Sequence, residues 1–286
     1  MVSLPRLQHA ADLVAAGDDT AIKELLSAGT GSLGGAHPKA AVRGDDGRLL
    51  MAKFTRPGSS TSSVAWEHVA LQLAADAGIA VSGHRLARLS HRPVLLLDRF
   101  DRGPGDERIG YMSAMTATER SDGELGDYLD IVDAIEDLSA DWVADKAGLF
   151  RRVVFSVLIH NTDDHLRNHG FLRSAPGWRL SPAFDINPNP DLGTGRQTAI
   201  LGAVYIADEP AAVLEFDGLC GLDRPRAAGI IVEVARAVAG WQRAAGEAGI
   251  SVAEQRRFVP AFEAQRDAFS RLLEDLEPKG GGSAQA

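Results

Sequence analysis

Asp163 and Asn168 stand five residues apart in the run His160-Asn161-Thr162-Asp163-Asp164-His165-Leu166-Arg167-Asn168, and Asp185 follows one predicted hairpin later. A carboxylate, an amide and a second carboxylate in that order are the groups phosphoryl transfer needs. One carboxylate orients an attacking hydroxyl and takes its proton, while the amide and the other carboxylate offer hard oxygen ligands to Mg²⁺. Upstream, Gly29 to Gly35 (GTGSLGG) holds four glycines in seven positions, more than a simple turn requires. Lys53 follows as a cation suited to phosphates. Each piece alone has a bland reading: a solvated Asp-rich turn, a hairpin connection, and a strand lysine with its ammonium in solvent. The chain has no G-x-x-x-x-G-K-[ST], so a Walker-type phosphate site is excluded.

These groups must be held by elements that the pattern predicts. Residues 7–28 read as a helix that the Gly-rich segment ends. Ala40 to Val42 and Leu49 to Phe54 read as strands around a turn at Gly44 to Gly47, which places Lys53 on the second strand. Val64 to Ala77 has helical spacing, with Ser63 as N-cap, Gly78 as stop and Glu67 in its first turns. Glu67 reads either as a partner of Lys53 or as a partly exposed helix carboxylate. Arg85 to Leu89 and Val94 to Leu97 make a second hairpin that ends in Asp98-Arg99-Phe100-Asp101-Arg102. Beyond the Gly103 to Glu107 link, helical periodicity takes over at 123–138, 141–160, 225–247 and 252–275. The exception is a hairpin from Gly170 to Leu172 and Trp178 to Phe184 that delivers Asp185. The expected fold class is α+β and two-lobed: residues 1–102 form a small sheet-plus-helix lobe, 103–277 a larger helical lobe, and 278–286 a disordered Gly-rich tail.

Taken in order, a Gly loop, a strand lysine, a helix carrying Glu, a linker, a helical lobe, D-x-x-x-x-N, a hairpin and Asp follow the order of a protein kinase. The matching segments Ser32-Leu33-Gly34-Gly35-Ala36-His37-Pro38-Lys39, Lys53, Asp98-Arg99-Phe100-Asp101, Asn161 to Asn168 and Ser181-Pro182-Ala183-Phe184-Asp185 resemble the HipA-type serine/threonine kinases of bacterial toxin–antitoxin systems. The resemblance runs over residues 30–275. It implies an ATP- and Mg²⁺-dependent kinase with Asp163 as catalytic base and Asn168 and Asp185 as metal ligands. It further implies that Gly34, Gly35, Ala36, His37, Pro38 and Lys39 cover the ATP phosphates and that Lys53 contacts them. Asp98, Arg99 and Phe100 would meet the adenine between the lobes, and His165, Arg167, Asn168, Phe184 and Asp185 would complete the nucleotide site. Ser32 matches a loop serine that such kinases autophosphorylate, where a phosphate adds up to about two negative charges beside those of ATP.

The resemblance also implies a protein substrate, such as an aminoacyl-tRNA synthetase or another translation factor, and an antitoxin partner that itself binds DNA. Longer members of that family carry a small subdomain before the Gly loop, whereas only about thirty residues precede it here, too few for an independent domain.

The composition narrows the field further. With 286 residues and 45% hydrophobic content the chain can bury a full core, and its formal charge of −9 argues against a generally basic nucleic-acid binder. Cys220 is the single cysteine, so no internal disulfide forms. The opening residues lack the basic-then-apolar pattern of a leader, and no stretch is apolar for the roughly 20 residues a bilayer needs. No direct nucleic-acid contact, no membrane association and a cytoplasmic location are expected. Two rival readings use other features. His160, Asp163, Asp164, His165 and His169 cluster as a hydrolytic metal site would, and a kinase-shaped scaffold or a small-molecule kinase would share the same motifs.

Overall fold

The computed structural model describes residues 38–44, 46–55, 61–89, 92–121 and 123–276. The expected helix 7–28, the Gly-rich segment with Ser32, Gly34, Gly35, Ala36 and His37, and the tail 278–286 lie outside the described residues.

Strands β1 (Lys39–Arg43), β2 (Leu49–Phe54), β3 (His84–Leu89) and β4 (Arg92–Asp98) form an antiparallel sheet in the order β1-β2-β4-β3. Gly47 supplies the positive φ of +80° that the β1–β2 turn requires. Alternation then sorts the side chains of the sheet. Ala40, Ala52, Phe54, Val94 and Leu96 pack together on one face. Leu95 and Leu97 join the main core on the other. Lys53 is out of phase with Ala52 and Phe54, so it emerges on the face that meets helix α1 (Ser63–Asp76).

Helix α1 buries Val64, Ala65, Trp66, Glu67, Val69, Ala70, Leu71, Leu73 and Ala74. A helix apolar on so much of its circumference must be covered on more than one side. It packs on β3 and β4 and also on α6 (Arg224–Val238) and α7 (Trp241–Glu247) of the helical half. Its stop is the expected Gly78, at φ +75°, with Ile79 N–H closing on the Ala74 carbonyl at 2.9 Å. Its start differs from expectation. Ser62 occupies the N-cap position and makes no side-chain cap. Its N–H and Oγ instead donate to Glu254, at 2.7 and 3.1 Å, because α8 (Val252–Leu276) lies alongside.

The second half begins with β5 (Tyr111–Ser113) and the single turn α2 (Ala114–Ala117), followed by β6 (Gly126–Asp127), α3 (Tyr128–Leu138) and α4 (Trp142–Leu158). The hairpin β7 (Gly170–Ser174) and β8 (Gly177–Leu180) pairs with β5, and β9 (Thr198–Ala199) pairs with β6. Helices α5 (Glu209–Leu219), α6, α7 and α8 close the chain.

Three predicted elements are shorter than their patterns. The helix expected from residue 123 starts at Tyr128, because Asp127 and Asp130 form a capping box there. The segment 225–247 is two helices, interrupted at Ala239 and Gly240. The strand expected to reach Phe184 stops at Leu180, two residues before Pro182, which has no N–H to continue a ladder. Among the described residues no helix is long and apolar enough to cross a membrane.

One core cluster runs continuously from Val64 on α1 through α3, α4, α5 and α6 to Phe269 on α8. Trp66, 1% exposed, is its junction: its ring centroid lies 4.0 Å from that of Phe258 and 6.0 Å from that of Trp241. Its Nε1 donates to Glu254 at 3.1 Å. Trp66→Ala should therefore lower the unfolding free energy by about 3–5 kcal/mol in a urea melt, a cavity cost that a surface tryptophan would not show.

Candidate active site

A cleft of about 980 Å³ separates the sheet from the helical half, within the size range of small-molecule sites. Of the residues singled out from sequence, Lys39, Lys53, Asp98, Arg99, Phe100, Asp163, His165, Arg167, Asn168, Phe184 and Asp185 all line it. Pro38 does not; its carbonyl accepts the Phe54 N–H at 2.9 Å and begins the β1–β2 ladder.

Lys53 is 2% exposed, and its ammonium donates to Glu67 Oε1 at 2.6 Å and to Asp185 Oδ1 at 2.7 Å. Burial opposes its charge, but the two carboxylates outweigh that effect and hold its pKa above the usual lysine value. Burial raises the Glu67 carboxyl above the usual carboxylate range, and Lys53 offsets part of that rise. Lys39 faces Lys53 across the β1–β2 register. Burial, and then its like-charged neighbour Lys53, lower its pKa. Lys39 thus adds a second cation to the wall on which Lys53 is already paired with Glu67 and Asp185.

The opposite wall is the loop after α4. His165 N–H bonds the Asp163 carbonyl at 3.2 Å, and Asn168 N–H bonds the His165 carbonyl at 2.7 Å as the chain turns through a 3₁₀ segment at Leu166–Asn168. The Asn168 side-chain amide returns to the Asp163 carbonyl at 3.0 Å, which closes the loop on itself and leaves its oxygen as a ligand. The Asp163 side chain is exposed to the cleft. Asp185 adopts φ +58°, a strained value for a residue with a side chain, and such outliers concentrate at functional sites. Asn168 and Asp185 both line the cleft, one with an amide oxygen and the other with a carboxylate. That donor set fits Mg²⁺, which takes one or two protein carboxylates and completes its shell with water and phosphate oxygens.

Asp164 turns the other way. It is 6% exposed, accepts hydrogen bonds from Tyr128 Oη and from Ser156 Oγ (3.0 Å), and meets His169 Nε2 at 2.9 Å. Tyr128 Oη accepts from Arg196 at 3.2 Å. Arg196 in turn donates to Glu209 at 2.7 Å, and Gln265 donates to Glu209 at 2.6 Å. Burial alone would raise the Asp164 pKa, but His169, the Tyr128 hydrogen bond and Arg196 hold it well below the usual carboxylate range. The hydrolytic metal reading fails on this geometry: Asp163 faces the cleft, Asp164 and His169 face inward, and His160 Nε2 meets the Asp191 carbonyl at 3.1 Å. Among the described residues no group of three or more His, Cys, Asp or Glu is placed to hold a metal.

The cleft also contains residues that the sequence did not disclose. Tyr111, on a three-residue strand, joins Phe100 (5.9 Å between centroids) and Phe184 (6.3 Å), and Phe100 lies 5.4 Å from Phe184. The three rings, tilted by 39 to 67° to one another, make an apolar cluster beside Asp98 and Arg99 against which a planar base can pack. Asp101 binds Arg99 at 2.6 and 2.5 Å and Arg102 at 2.6 Å, which fixes the interlobe segment beside that cluster. Met51, Asn187 and Gln197 also line the cleft. A Tyr in a short polar stretch gives no periodic signal, so only its antiparallel pairing with Leu172 reveals it.

A small sheet with one helix, a helical lobe and a cleft between them define a kinase-like fold. The model of the HipA-like C-terminal domain matches residues 31–241, and the chain belongs to that family. Among solved structures, HipA of the Shewanella oneidensis MR-1 toxin–antitoxin system, determined with HipB and its operator DNA, aligns with a TM-score of 0.64 and 19% identity. The alignment covers 86% of this chain and 67% of that one. The Helicobacter pylori proinflammatory kinase CtkA aligns with a TM-score of 0.58 and 15% identity, over 82% of this chain and 94% of that one. No curated protein matches the chain.

The buried Asp164 ties stability to pH. A carboxylate whose folded pKa lies below its unfolded value of about 3.9 stabilises fully above that value, and the contribution is lost as pH falls below it. The unfolding free energy should therefore drop steeply as pH is lowered below about 4. Asp164→Asn should flatten that slope in urea melts and cost about 3 kcal/mol at neutral pH, because its buried partners lose their anion.

Proposed function

We propose that this chain is a HipA-like serine/threonine protein kinase that transfers the γ-phosphoryl group of ATP to a Ser or Thr hydroxyl of a protein. The observation that carries the reading is the convergence, in one cleft, of a cleft-facing Asp163, the Asn168–Asp185 ligand pair and the buried Lys53. The hydrolytic reading leaves Lys53 unused, whereas phosphoryl transfer uses all of them.

In this reading the adenine lies on Phe100, Tyr111 and Phe184, and the phosphates extend toward Lys53 and Lys39. Asp163 orients the acceptor hydroxyl and takes its proton as that oxygen forms the new bond to phosphorus and the bond to ADP breaks. Lys53 neutralises charge on the phosphate oxygens, the larger part of catalysis in this reaction class. A Mg²⁺ held by Asn168 and Asp185 would supply further electrostatic stabilisation of that charge. Glu67 and Asp185 fix the position of the Lys53 ammonium on the cleft wall.

Family likeness extends the proposal to a toxin whose target is a translation factor such as an aminoacyl-tRNA synthetase. It also extends to autophosphorylation at Ser32 and to a DNA-binding antitoxin, a role that HipB plays beside the Shewanella protein. The test is incubation of the purified chain with magnesium and γ-labelled ATP, followed by mapping of the label. The parent should transfer label, with Ser32 as the expected site in the absence of substrate. Asp163→Ala should reduce transfer by at least about 100-fold. Its melting temperature should not change, because Asp163 is exposed. Equal transfer by the variant would remove Asp163 from the role of base.

A further inference from the structure

A second cavity, of about 530 Å³, shares no lining residue with the cleft. It lies between α4 and α6, roofed by the turn after α1 and floored in part by Leu180 at the end of β8. Four arginines and two carboxylates line it. Arg179 is committed to Asp145, at 3.0 to 3.2 Å. Arg151 is committed to Glu233 at 2.7 Å and to the Ala77 carbonyl at 2.9 Å. Both carboxylates are thereby neutralised.

Arg152 and Arg226 remain. Arg152 is 8% exposed; one of its terminal nitrogens donates to the Ser181 carbonyl, while Nη1 is buried with no partner. Burial lowers its pKa only to about 10, so it is a cation at neutral pH. Arg226 sits exposed in the first turn of α6, and its guanidinium has no partner among the described residues. A buried guanidinium nitrogen without an acceptor costs roughly 1–3 kcal/mol or more, so its persistence calls for a ligand.

The space beside these two groups is kept open by glycine. A Cβ at Gly229 would meet nothing within 4 Å, and one at Gly148 only Leu180, at 4.0 Å. Ile79, Leu180 and Ile230 supply an apolar strip along the same wall. We propose that this cavity is a binding site for a phosphate monoester, its phosphate held by Arg152 and Arg226 and its organic part against the apolar strip. The guanidinium forks of Arg152, whose Nη1 lacks an acceptor, and of the exposed Arg226 suit the oxygens of such a group, which carries about −1.5 to −2 at neutral pH.

Isothermal titration calorimetry of the full chain with inorganic phosphate, ribose 5-phosphate and a short phosphoserine peptide tests this. Saturable binding of at least one phosphate ester with a Kd below about 1 mM is expected, weakened at least tenfold by Arg226→Glu or by Gly229→Leu, both at exposed positions. Lys53→Met, in the other cleft, should leave this binding unchanged, so failure here and failure of the kinase reading are separable. Tighter binding of the sugar phosphate identifies a small-molecule ligand, and tighter binding of the peptide identifies a phosphorylated protein segment. Absence of saturable binding, or binding equal in the parent and Arg226→Glu, would overturn the proposal.

Discussion

A single buried ammonium joins three separate parts of the chain. Lys53 belongs to a central strand, Glu67 to the helix that follows it and Asp185 to a segment 132 residues further on. An unpaired charge at 2% exposure would cost several kcal/mol, so the sheet, α1 and the chain beyond β8 are held in one mutual placement or the charge is uncompensated. The alternation that packs Ala52 and Phe54 on one face turns Lys53 to the other, and the apolar surface of α1 brings Glu67 to it. Packing thus aims the cation, and the cation in turn ties Asp185 into the cleft.

The loop after α4 divides its labour between adjacent residues. Asp163 is exposed to the cleft, while Asp164 enters a closed polar chain through Tyr128 and Arg196 to Glu209 and Gln265. The side chains of Arg196 and Glu209 are completely buried. The network anchors the loop to α3, α5 and α8 at once, while Arg196 Nη2, Gln265 Oε1 and His169 Nδ1 are buried without a partner of their own. The reactive side of the loop can then be open to solvent without being loose.

Much of this arrangement was legible from residue order. The turn glycines, the strand lysine and D-x-x-x-x-N carry local signals, since spacing and backbone demand are properties of short segments. Long-range facts were not legible. Glu67 reads equally well as a partly exposed helix carboxylate until its distance to Lys53 is seen, and spacing selects Asp163 without showing that Asp164 is buried in a polar network. Helix α5 escaped because its apolar residues lie on several sides, without the one-face periodicity that marks a surface helix. Tyr111 escaped because a three-residue strand is defined by its neighbour rather than by its own composition.

The anchorage of Trp66 has a mechanical consequence. With its indole between Phe258 and Trp241, and with Ser62 and Trp66 both bonded to Glu254, α1 is fixed to the helical half as firmly as to β3 and β4, although it follows β2 in sequence. A displacement of the sheet against the helical half would have to strain that anchorage or pull Lys53 from Glu67, so the ion pair that organises the site also resists its opening.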